Sequence, residues 1–141
     1  MSEIVRVNTS NVYAKWGEAA QAGFQAIPDL LLTKQKKLKL GNVELIVLLN
    51  VLMHWWYVDT KPFPRPTVIA DRMGISVRTV QRAFITLQSL GLIVRTSDRN
   101  RKVIDPTGLV KKLSEYAKTD VHYLNRMKSA EEKAKLLIEE K

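Results

Sequence analysis

Pro66-Thr-Val-Ile-Ala-Asp-Arg-Met-Gly-Ile-Ser-Val-Arg-Thr-Val-Gln-Arg-Ala-Phe-Ile85 places small, turn-forming and apolar residues where two helices crossing through a tight turn require them. Ala70 falls in the middle of the first helix, where a side chain larger than methyl would hold the second helix away. Gly74 stands where the chain must turn sharply, and glycine enters the left-handed region without a Cβ penalty. Ile75 plugs the gap between the helices. Ser76 can accept a hydrogen bond from a free N–H in the first turn of the next helix, which therefore starts at about Val77 and runs to about Leu90. The pattern predicts a helix-turn-helix.

The second helix divides into two faces. Val80, Ala83, Phe84, Leu87 and Leu90 recur at spacings of three and four and form an apolar face. Arg78, Thr79, Gln81, Arg82 and Thr86 lie opposite, near the helix N-terminus that reaches base edges in the major groove. The competing reading is an αα-hairpin with a solvated polar face. That reading predicts mixed charge, whereas no acidic residue stands between Arg72 and Arg95. At the start of the first helix, Arg65 cannot cap and Pro66 suits a first helical position. Thr67 is therefore expected to cap instead, moving the start inward.

Gly91 ends the second helix. Leu92-Ile-Val-Arg-Thr96 has the β-branched, apolar character of a strand, Ser97-Asp-Arg-Asn100 supplies turn residues, and Arg101-Lys-Val-Ile-Asp105 returns before Pro106 stops it. Helix, helix, hairpin is the order of a winged helix, with the wing at about 92–105. Ala70, Gly74-Ile-Ser76, Thr79-Val80, Leu87 and Leu90-Gly-Leu-Ile93 together resemble the succession found in winged helix-turn-helix regulators of the GntR-like and MarR-like kind. The chain is also similar to small bacterial, phage and plasmid helix-turn-helix proteins in Ala26-Ile-Pro28, Leu30-Leu-Leu32 and His54-Trp-Trp56, a likeness that implies no assigned function. The expected fold is mainly α with a small β-hairpin: a winged helix-turn-helix domain with N- and C-terminal helical extensions.

Charge distribution bears independently on the function. Residues 61–102 carry nine basic and two acidic groups, residues 1–60 six and five, and residues 103–141 eight and seven. Of the net +9, +7 therefore falls on the helix-turn-helix and wing, the footprint of a surface that neutralises phosphates. A membrane binder would need large apolar residues alongside the arginines, so no membrane partner is expected.

At 141 residues and 45% hydrophobic content the chain can bury one sizeable core. The absence of cysteine excludes disulfides, thiolate zinc sites and cysteine nucleophiles. Met1-Ser-Glu-Ile-Val-Arg6 has no signal-peptide apolar region, and no apolar run approaches a bilayer span, so a cytoplasmic or nucleoid location is expected. His54 and His122 lack neighbouring carboxylates at ligand spacing, so no metal site is expected. No nucleophile-base pair, paired carboxylates or phosphate-cradling glycine loop stands out. Neither an enzyme, a cofactor nor a small-molecule ligand is indicated.

Val43 to Tyr57 is apolar nearly all round and reads as a buried first helix of the winged domain, capped by Asn42 after Gly41. Trp55, Trp56 and Tyr57 suit a stacking platform for single-stranded nucleic acid, but closing the core at the helix end is the favoured reading, and His54 is read as a hydrogen-bonded core residue. Asp59 to Pro66 forms a stiff proline-rich linker. Upstream, Asn8-Thr-Ser-Asn11 caps a short helix ending at Ala22 before an extended Phe24–Pro28. Leu30, Leu31 and Leu32 pack on the core, and Lys34, Lys36, Lys37 and Lys39 solubilise the other face. Thr107–Ala117 and Val121–Lys141 read as two helices. The second carries Leu124, Met127, Ala130, Ala134, Leu137 and Ile138 in a stripe that either folds back or pairs with a second copy as a homodimer. The implied organisation is an N-terminal arm over 1–41, the winged domain over 42–105 and a C-terminal extension over 106–141.

The expected partner is double-stranded DNA. Arg78, Thr79, Gln81 and Arg82 would read bases, while Arg65, Thr67, Ser76, Arg99, Arg101 and Lys102 would hold phosphates or enter the minor groove. Transcription repression is the leading function. The alternatives are a phage or plasmid replication-initiation or partition factor, and a winged helix used as a protein-interaction module.

Overall fold

The computed structural model describes residues 9–57 and 59–139, so Asn8, expected to cap the first helix, lies outside the described residues. The element order is α1 (Thr9–Trp16), α2 (Glu18–Gln21), α3 (Leu30–Thr33), α4 (Asn42–Met53), α5 (Pro66–Met73), α6 (Val77–Ser89), β1 (Val94–Asp98), β2 (Arg101–Asp105), α7 (Thr107–Ala117) and α8 (Val121–Glu139). This is the mainly α fold with one antiparallel hairpin that the sequence implies. The helix read as continuous to Ala22 is interrupted at Gly17, whose positive φ of 60° starts a second short helix. Phe24 to Pro28 has no regular secondary structure.

One apolar cluster joins parts of the chain far apart in sequence. It takes Val47, Leu48 and Val51 from α4, Ile69 and Ala70 from α5, and Val80, Phe84 and Leu87 from α6. Leu31 of α3 and Leu109 and Leu113 of α7 belong to the same cluster. Residues on both sides of 42–105 thus contribute to the buried cluster. Two expectations fail here. Leu32 is exposed, because a single helical turn can turn only one side of itself inward, and Val43 and Ile46 of α4 are exposed as well.

Local rules place the helix-turn-helix. Ala70 is buried, Gly74 takes the left-handed conformation (φ 66°, ψ 35°), and Ser76 accepts a hydrogen bond from the Thr79 N–H at 3.1 Å. Two caps differ from expectation. The helix α5 starts at Pro66, not at Thr67: extended Arg65 occupies the cap position without a side-chain bond, and its carbonyl accepts from the Val68 and Ile69 N–H groups. Pro66 has no N–H to satisfy, which lowers the need for a side-chain cap. At α4 the cap position belongs to Gly41, and Asn42 instead accepts from Gln35 Nε2 at 3.0 Å.

The helix α4 stops at Met53, short of the aromatic residues assigned to it. The Trp56 indole N–H donates back to the Met53 carbonyl at 2.7 Å, so the chain leaves the helix before Trp55. Trp56 (78% exposed) and Tyr57 (68%) therefore do not close the core. His54 is likewise exposed at the helix end, beside Arg72.

The wing begins two residues later than predicted, at Val94, because Leu92 and Ile93 are drawn fully into the core. Val94 pairs with Asp105 and Asp98 with Arg101, leaving Arg99-Asn100 as a two-residue loop. Both loop residues have positive φ, 50° and 66°, which gives the turn the twist that a tight hairpin needs. The buried Pro62 carbonyl accepts the Ile104 N–H at 2.8 Å, so the proline-rich linker runs along the outer edge of β2.

Candidate nucleic-acid interface

The recognition-face side chains separate by exposure. Arg78, Gln81 and Arg82 project from the first half of α6 and are exposed. Thr79 is half-buried, and its hydroxyl lies 2.8 Å from Ser76 Oγ. The pair Ser76 and Thr79, assigned to phosphate and base contact, is thus engaged in closing the helix N-terminus. Thr67 is exposed on the first turn of α5.

The wing and linker gather the other cations. Arg65, Arg101 and Lys102 line one shallow hollow with Phe63, Pro64 and Pro66. The Arg101 guanidinium sits 5.0 Å over the Phe63 ring, a stacking arrangement that orients the group and leaves its edge for an oxygen ligand. Arg99 occupies the hairpin tip, where a non-glycine residue at positive φ is uncommon. Nothing in the composition of the linker marks Phe63 as a support for Arg101; an aromatic residue between two prolines beside a basic strand is the one available sign.

Other charges are committed to the fold. Arg95 Nε donates to Gln88 Oε1 at 3.1 Å, tying the wing to the end of α6. Lys61 approaches Asp105 at 3.8 Å, while Asp105 accepts from the Thr107 hydroxyl (2.7 Å) and backbone N–H (2.9 Å). Those two Thr107 bonds, aided by Lys61, hold the Asp105 carboxyl below the usual carboxylate range. Arg72 donates to Asn50 Oδ1 at 3.2 Å and lies 3.4 Å from His54 Nε2. Partial burial first, and the Arg72 charge second, lower the His54 pKa. Among the described residues no group of three His, Cys, Asp or Glu could hold a metal ion, and no helix is long and apolar enough to cross a membrane.

The surface so assembled is a basic helix, α6, flanked by a basic hairpin. The chain matches the DnaD N-terminal domain family over residues 27–121. It belongs to that family. The DnaD-type match begins at Ile27, inside the Ala26-Ile-Pro28 segment, and takes in His54-Trp-Trp56 and the whole winged unit. It closes at the first residue of α8 and so covers all of α3 to α7, the elements that build the core. A winged helix is what the Ala70–Val94 succession implies, but the family is not the GntR-like or MarR-like one it resembles. No curated protein matches the chain.

Proposed function

We propose that this DnaD-type domain is a DNA-replication factor that engages duplex DNA through α6 and the wing. The carrying observation is the placement of exposed Arg78, Gln81 and Arg82 on one helix while Arg65, Arg101 and Lys102 share a hollow beside it. In that arrangement Arg78, Gln81 and Arg82 contact base edges, with Thr79 behind them. Arg65, Thr67, Ser76, Arg99, Arg101 and Lys102 hold the backbone on either side. The domain acts by binding, not by catalysis.

Membership of a replication-protein family supports the replication alternative raised from the sequence; nothing in it favours a transcription repressor. A genome-wide map of bound sites tests the choice. Enrichment at a replication origin is expected, and occupancy confined to promoters would overturn it. Duplex affinity measured against salt tests the surface itself, since each phosphate contact contributes a slope of about −0.9 in log K against log salt.

A further inference from the structure

We infer that the seam between the proline-rich linker and the wing holds an unpaired nucleotide, so that this domain takes a duplex continued by a single-stranded tail. The duplex half of the inference rests on the reading of α6 given above. Two adjoining hollows meet at one pair of side chains. The first has a volume of about 440 Å³ and the second about 410 Å³, and Phe63 and Arg101 line both.

The hollows differ in charge. The first gathers Arg65, Arg101 and Lys102 with no carboxylate among its lining residues, a setting for the oxygens of a phosphate. In the second, Lys61, Arg99 and Arg101 are offset by Asp59 and Asp98, and Thr60 adds a hydroxyl. Two carboxylates repel a phosphate, yet they accept hydrogen bonds from the exocyclic amine of a base. The sugar-phosphate backbone therefore follows the first hollow, and a base enters the second against Phe63.

Phe63 is held ready to stack. It stands between Pro62 and Pro64, and a residue before a proline is confined to extended conformations. Pro62 is fully buried, and its carbonyl is anchored by the Ile104 N–H at 2.8 Å. The Arg101 guanidinium lies 5.0 Å over the Phe63 ring, while Phe63 stays 51% exposed. A ring fixed in this way loses little entropy when a ligand covers it. Inside a duplex the neighbouring pairs cover both faces of a base and leave only its edges, so an aromatic ring offered to solvent fits a base released from the stack. Lys102 borders both the first hollow and a further one that includes Gln88 of α6. The line of cations thus runs on to the helix assigned to the duplex.

Fluorescence anisotropy of the full chain with a blunt duplex, the same duplex bearing a single-stranded tail, and the tail alone provides the test. The tailed duplex is expected to bind about tenfold tighter than the blunt one, the effect of one base stacked on an aromatic ring. Phe63→Ala is expected to bring the tailed-to-blunt ratio to about one, Phe63→Trp to keep it, and Arg78→Ala to weaken both duplexes while leaving the ratio in place. The base analogue 2-aminopurine at the first unpaired position is expected to lose fluorescence on binding wild type but not Phe63→Ala. Phe63→Leu, which keeps apolar bulk without an aromatic face, replaces Phe63→Ala if circular dichroism shows that the latter has lost its fold. Equal affinity for the two duplexes, a ratio that survives loss of the ring, or 2-aminopurine that stays bright on wild type would overturn the inference. A tail that binds through Phe63 beside a blunt duplex that does not bind would remove the reading of α6 and leave the unpaired-nucleotide site standing.

Discussion

Replacing Gly108 by alanine puts two rules in opposition. Glycine in a helix is worse than alanine by about 1 kcal/mol, so propensity alone predicts that Gly108→Ala stabilises α7. The structure predicts the reverse. A Cβ built on Gly108 falls onto the Gly91 carbonyl oxygen, with the Gly91 and Leu92 carbonyl carbons 3.2 and 3.4 Å away. These are backbone atoms of the α6–β1 turn and cannot swing aside as a side-chain end would. The start of α7 must retreat, stretching the bond from Leu109 N–H to the Leu92 carbonyl, now 3.0 Å, and loosening buried Leu109 and Leu113. Overpacking of this kind costs about 1–3 kcal/mol and a weakened hydrogen bond about 0.5–1.5 kcal/mol. After the propensity gain, a net loss of about 1–3 kcal/mol remains. Urea titration followed by circular dichroism should show a lower midpoint with an unchanged slope. Gly41→Ala is the control, since its Cβ would meet only the flexible Glu44 carboxyl group. A midpoint for Gly108→Ala equal to or above wild type would refute the close approach of α7 to this turn.

Leu31→Ala is expected to cost about 2–5 kcal/mol, because Leu31 is fully buried in the common core; a loss below about 1 kcal/mol in the same titration would detach α3 from that core. Arg99→Gly relieves a positive φ and should leave stability unchanged or raise it by up to about 1 kcal/mol while weakening duplex binding; equal affinity would remove the wing tip from the interface. Arg78→Ala should lose about 1–3 kcal/mol of binding and relax sequence preference, whereas Lys102→Ala should weaken all duplexes alike, as competition with unrelated duplexes will tell. On acidification, two groups act in the same direction. Asp105 has a lowered pKa, so its contribution is present above the usual carboxylate pKa and fades as pH falls through the lowered one. The lowered pKa of His54 means that the unfolded chain binds the proton first, so stability also declines as pH drops below the ordinary histidine range. Thr107→Val should return the Asp105 titration, followed by NMR, towards its ordinary value; an unmoved titration would exclude the Thr107 hydroxyl as its main cause.

Legibility in the sequence followed the range of the forces involved. The turn at Gly74, the cap at Ser76 and the span of α6 were readable because each depends on residues a few positions apart, through left-handed geometry, one hydrogen bond and a helical period. The concentration of cations on residues 61–102 was readable for the same reason: it is a count along the chain. The start of the wing was not. Leu92 and Ile93 have strand character, but burial in the common core competes for them, and many of its other members are distant in sequence. Trp55 to Tyr57 looked like a continuation of the apolar helix; the return bond from Trp56 to Met53 ends it one turn earlier.

Of the interface, the arginines of α6 were legible from their spacing, whereas the support of Arg101 by Phe63 and the meeting of Arg65 with the wing were not. The sequence by itself determined the winged order of elements, the two-faced polarity of α6 and where the positive charge resides, because these depend on local backbone preference and composition. Only the tertiary structure decided that α3 and α7 share one core, that glycine is required at Gly108, and that an uncharged hollow faces solvent while residues 121–138 of α8 are exposed. Each of those depends on which distant surfaces meet in space, and chain order carries no direct record of that.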